Sequence, residues 1–97
     1  MFVILSTYQA RPGEEDAIIA LHEDWQRQQQ PKVKGYLSGE LLRNVEASRE
    51  FIGIMRFESR ASAHACASDP EQQVWTRRVA SLVENMPRLA GYQQEWP

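Results

Sequence analysis

The chain has 97 residues, 42% of them hydrophobic and 25% charged, with a formal net charge of −2, which suits one domain spanning 1–97 and leaves no room for two. Thirteen acidic residues against eleven scattered Lys and Arg form no basic stripe, so neither nucleic acid nor an anionic membrane is an expected partner. The single cysteine, Cys66, has no CxxC or Cys/His companion spacing, which rules out an internal disulfide and suggests no metal site.

The first element is Phe2–Gln9, whose β-branched and aromatic bias reads as a strand broken by Arg11-Pro12-Gly13. Its apolar part, Phe2 to Leu5, lacks a basic flank and is too short for a signal peptide or a spanning helix, so a cytoplasmic protein is expected. Glu14, Glu15 and Asp16 then place negative charge at a helix start. Ile18, Leu21 and Trp25 recur at helical spacing, and the helix is expected to run to about Gln30, where Pro31 stops it.

Gly35–Val45 and Glu50–Glu58 are the next two strands, joined by the polar turn Glu46-Ala47-Ser48-Arg49. In the second of them Phe51, Met55 and Phe57 point one way and Ile52 and Ile54 the other. Ser59–Ser68 reads as a short Ala-rich helix with Ser59 as N-cap. Asp69-Pro70-Glu71 is an N-cap, N1 and first-turn sequence for a longer helix, whose stripe of Trp75, Val79, Leu82, Val83 and Met86 ends near Pro87. A last strand, Leu89–Trp96, completes βαββαβ.

That order predicts an α+β, ferredoxin-like fold. The strands are apolar on both faces, while so few helices can cover only one face of a four-stranded sheet. A second copy of the same sheet is the simplest cover for the other, so a homodimer is expected. A domain of this size buries only roughly 60–70% of its unfolded surface, and an interface would add stability.

Several stretches, taken in order, resemble the antibiotic biosynthesis monooxygenase family over nearly the whole chain. They are the first strand, Arg11-Pro12-Gly13-Glu14-Glu15, Gly35-Tyr36-Leu37-Ser38-Gly39, the run from Phe51 through Arg60-Ala61 to His64, and Ser68-Asp69-Pro70. Two departures are visible: Phe57 stands where the family commonly has Trp, and Asp69 separates Ser68 from Pro70. The resemblance implies a dimeric α+β barrel with a small pocket between sheet and helices. It also implies oxidation of a small phenol or hydroquinone by O2 without metal, flavin or other cofactor.

Such chemistry needs a dry pocket, a base for the phenolic proton and a polar group to steady the anion that reduces O2. His64 is the candidate base, because His titrates nearest neutrality; a surface or packing histidine is the plainer reading. His22, beside Glu23 and Asp24, reads as solvated. Trp75 is a candidate pocket wall or a core residue. Ser6 is polar among apolar same-face neighbours and is either pocket lining or an internally satisfied hydroxyl. Tyr36, Tyr92 and Arg56 are polar-tipped strand residues that suit either a phenolate or a dimer rim.

Haem-degrading relatives resemble one another in an Asn on the first strand, a Trp near the short helix and a ligating His on the long one. This chain has Ser6, no Trp on Ser59–Ser68 and no His from Asp69 to Met86, which argues against haem. The RNA-binding version of the fold is also disfavoured, since Phe51 and Phe57 have no Lys neighbours and the chain is acidic. A non-catalytic small-molecule-binding module remains the alternative, because fold does not imply function.

Overall fold

The computed structural model describes residues 1–96. Its elements run β1 (Phe2–Gln9), α1 (Glu15–Gln28), a 3-10 turn (Gln30–Lys32), β2 (Tyr36–Arg43), β3 (Glu50–Phe57), α2 (Arg60–Ser68), α3 (Pro70–Ala80) and β4 (Arg88–Gln93). The strands form one sheet in the order β2-β3-β1-β4 with every neighbouring pair antiparallel. The link through α1 therefore crosses β3 and the link through α2 and α3 crosses β1, which is the ferredoxin-like arrangement the sequence predicts.

Register decides which residues meet the helices. Phe2 lies opposite Phe57, Ile4 opposite Met55, Ser6 opposite Gly53 and Tyr8 opposite Phe51. Because side chains alternate along a strand, these residues share the helix-covered face, where Phe57 packs with Ala63 and Cys66 of α2, and Phe51 with Ile18 of α1 and Val83. Phe51 and Phe57 are 2% and 1% exposed, and burial of each contributes about 2–3 kcal/mol. Val3, Leu5, Ile52 and Ile54 occupy the opposite, open face, as the two-sided apolar pattern predicts.

Ile18, Leu21 and Trp25 are the buried residues of α1, as their spacing requires. The Trp25 indole N–H donates to the Gln72 side-chain oxygen at 2.7 Å, tying α1 to α3. Ser59 and Asp69 cap α2 and α3, accepting from the backbone N–H of Ser62 and Glu71 respectively. The caps match the sequence reading.

Three boundaries differ from expectation. The long helix stops at Ala80, because the backbone beyond it pairs with the end of β1: the Arg11 N–H donates to the Leu82 carbonyl, the Glu84 N–H donates to the Gln9 carbonyl, and Val83 bridges Ala10. Val83 is thus buried through a strand-like contact, while Met86 is 73% exposed and belongs to no apolar stripe. Strand β2 ends at Arg43 and carries a bulge between Tyr36 and Ser38. Strand β4 ends at Gln93, leaving Trp96 exposed. No helix among the described residues is long and apolar enough to cross a membrane.

Two glycines adopt positive φ, Gly13 at 84° and Gly35 at 79°. Open space surrounds Gly13, whereas a Cβ on Gly35 would come within 2.6 Å of the Ser62 Cβ, so Gly35 also sets how closely β2 approaches α2. Gly13→Ala is expected to cost about 1 kcal/mol from backbone strain alone, and Gly35→Ala about 2 kcal/mol or more from strain plus overlap. Urea unfolding of the two variants beside the parent checks the order. Equal losses would show that the Gly35 contact adds nothing.

Candidate functional site

The six residues singled out from the sequence do not converge within one chain. Ser6 and Tyr36 lie on the helix-facing side of the sheet, with Trp75 among the helices above it. Arg56 and Tyr92 both pair with Val3 and share the open face. His64 is exposed on α2, whose buried residues are Ala63 and Cys66. At roughly 100° per residue its side chain is carried away from the sheet, which argues for a surface histidine and against a base in a dry pocket. Sequence pattern placed His64 on a helix, but the helix's rotation is set by packing of its neighbours.

Trp75 is 9% exposed and packs with Leu21 and Trp25, while the Arg78 guanidinium lies 4.5 Å from its ring centre. It anchors α3 to α1. Tyr36 meets Trp25 and Phe57 edge-on at 5.2 and 5.7 Å between ring centres, and its hydroxyl accepts a hydrogen bond from the Gln26 amide at 3.1 Å. A Cβ at Gly39 would overlap the Tyr36 hydroxyl, so the glycine allows the ring to lie along β2. Burial raises the Tyr36 phenol above its ordinary value, against opposing influences from the Gln26 hydrogen bond and Arg56.

Around Ser6 the helix-facing surface has a low point. Ser6 and Gly53 sit side by side between the larger pairs Ile4–Met55 and Tyr8–Phe51. A Cβ built on Gly53 would have only Ser6 within 4 Å, its Cβ at 3.8 Å and its carbonyl oxygen at 4.0 Å. Among the described residues no helix side chain comes within 4 Å of that position. Along the same row Leu89 of β4 lies opposite Ser6 and is 71% exposed, so the trough is open toward the β4 edge. Among the described residues, neither the Ser6 nor the Tyr8 side chain is given a hydrogen-bond partner by the geometry.

Tyr8 was not marked by sequence reading, although its position two residues from Ser6 puts both on one face, and a mid-strand glycine such as Gly53 signals open space or close approach. Its ring stacks on Phe51 at 6.0 Å and 14°, and burial pushes its phenol up to about 12. It stays protonated at neutral pH and is a hydrogen-bond donor. Cys66 is raised to about 11, first by burial and then by Asp69, so it remains an unreactive thiol. His22 is half-buried, not freely solvated as the sequence suggested, and burial lowers its pKa against the pull of Glu23.

Two shallow grooves elsewhere on the helical surface contain none of Ser6, Tyr8 or His64; one lies between α1 and α3, the other beside Gln29, Lys32, Glu71 and Trp75. Among the described residues no group of three or more His, Cys, Asp or Glu is placed to hold a metal ion.

The raised Tyr8 phenol has a consequence for stability. An acid whose folded pKa lies above its unfolded value of 10.0 stabilises the fold fully below pH 10, and that contribution disappears as pH rises toward 12. Tyr8→Phe should therefore lose less stability than the parent between pH 10 and 12, by chemical denaturation, and one tyrosine should vanish from the upper end of an ultraviolet titration. A parent and variant that fall in parallel above pH 10 would show that Tyr8 ionises freely.

A search of curated proteins returned no match. Among solved structures, the chain is similar to a protein from Bordetella bronchiseptica named as a candidate antibiotic biosynthesis monooxygenase, with 17% identity, TM-score 0.86, and coverage of 98% of this chain and 97% of that one. A similarly named protein from Deinococcus radiodurans is 14% identical with TM-score 0.83, covering 100% and 95%. A conserved protein from Methanosarcina mazei is 8% identical with TM-score 0.86, covering 97% and 92%. Likeness at these identities carries the fold alone. The sequence model described as antibiotic biosynthesis monooxygenase matches residues 1–78, and the chain belongs to that family.

Proposed function

We propose that this chain is a cofactor-independent monooxygenase that oxidises a small phenol or hydroquinone with O2, acting as a cytoplasmic homodimer. The observation that carries the reading is the Ser6–Gly53 low point on the helix-facing sheet surface, one residue pair along from Tyr8 and Phe51. Family membership supports the reaction class.

In this reading the aromatic ring lies over Gly53, in the space a side chain would fill. Tyr8, a phenol neutral at pH 7, donates to the substrate oxygen and steadies it as the phenolic proton departs to solvent, and Ser6 orients the ring. A donor fixed in a dry site stabilises developing negative charge better than water does. The phenolate then reduces O2: one oxygen atom bonds to a ring carbon and becomes a quinone carbonyl, the other leaves as water with the two displaced hydrogens. His64, on the outer face of α2, is left as a solvent-side residue.

A second reading, a non-catalytic binding module, is favoured by one observation: neither Ser6 nor Tyr8 ionises near neutral pH, so the trough has no internal base. Oxygen uptake separates the two. With a panel of hydroquinones, the parent is expected to consume O2; Tyr8→Phe should lower turnover about 10²-fold, Ser6→Ala about tenfold, and His64→Ala less than about twofold. A loss of roughly 10²-fold in a well-folded His64→Ala variant would instead restore His64 as the base. Ring-current shifts at Leu89 without O2 uptake would leave the binding module standing.

A further inference from the structure

The open face of the sheet is built around Val3, Leu5, Leu42, Ile52 and Ile54, with Ser38, Thr7, Gln9 and Tyr92 among them, and it carries one ion pair. Arg56 on β3 and Glu40 on β2 form it, with side chains 31% and 48% exposed. Register puts Arg56 opposite Val3 and Glu40 opposite Ile54, so the pair runs diagonally across a field that includes Leu5, Leu42 and Tyr92. The other charged residues of this face, Glu50 and Arg88, lie opposite Gln9 and Thr7, toward the end of the sheet away from Arg56. Two acids and two bases make the face neutral. An acidic or basic partner gains no net attraction from it, whereas a two-fold dimer requires a surface complementary to itself.

We propose that the Arg56–Glu40 pair is the polar pin of the interface between two copies of this chain, fixing how the two sheets align. This rests on the homodimer reading above and names the residues that govern it. In a single chain the pair is half-exposed and contributes little. When a second sheet closes over it, water leaves both charges, and an intact pair tolerates that loss while a lone charge does not. An alignment that set the pair against apolar side chains of the second copy would leave its charges without polar neighbours and be disfavoured.

Sedimentation velocity over the nanomolar to micromolar range tests this on the full chain. The parent is expected to dimerise; Glu40→Gln and Arg56→Met should each raise the dissociation constant about 10²-fold or more. The double variant Arg56→Met with Glu40→Leu, which removes both charges, should return to within about tenfold of the parent. Circular dichroism and thermal midpoints at dilutions where every variant is monomeric should agree with the parent, since the pair adds little to one chain. Single variants as tight as the parent, or a double variant as weak as the singles, would overturn the pin while leaving the dimer. A parent monomeric throughout would overturn the dimer reading itself, and the pin with it.

Discussion

A four-stranded sheet with apolar side chains on both faces, in a chain whose helices reach only one of them, is the constraint from which the rest follows. On the covered side, Phe57 and Phe51 at opposite ends of β3 are almost wholly buried, and the helices are positioned by what they place against those two rings. Ala63 and Cys66 are small enough to bring α2 close over Phe57. Ile18 and Val83 close over Phe51. Between the two rings the small pair Ser6–Gly53 interrupts the packing, so the same strand that nucleates the core at its ends leaves space at its middle.

An aromatic chain ties the sheet to the helices. Phe57 meets Tyr36, Tyr36 meets Trp25, and Trp25 packs on Trp75, a continuous run from sheet to outer helix. Its polar tips are satisfied locally, Tyr36 by Gln26 and the Trp25 indole by Gln72, as buried polar groups require. Such residues look like ligand-binding groups in a sequence, because an aromatic with a hydrogen-bonding tip suits both tasks. Here their partners are internal, and the polar groups left for a ligand are the plainer hydroxyls of Ser6 and Tyr8.

The two faces also divide the chemistry. Charges that sit on the open face, Arg56 and Glu40, cannot reach the helix-facing trough through the sheet, since adjacent residues on a strand point to opposite sides. A single residue of difference in position thus moves a side chain from the helix-facing side to the open face. It is the reason Arg56 and Tyr92 stand on the open face while Tyr8, opposite Phe51, stands on the helix-facing one.

Local chemistry was enough to read the order of elements, the caps at Ser59 and Asp69, the buried stripe of α1 and the two apolar sets of β3, because each depends on propensity or periodicity within a few residues. The sequence also carried the family resemblance through short runs in a set order. It did not determine where α3 ends, since the backbone from Leu82 to Glu84 is claimed by β1, a partner more than seventy residues away in the chain. Nor did it determine the site. His64 and Tyr8 each have a type and a position in sequence, but the rotation of α2 about its axis and the register of β1 against β3 are outcomes of packing over the whole sheet. Those long-range choices turned the histidine outward and set Ser6 opposite Gly53, one pair along from Tyr8 and Phe51.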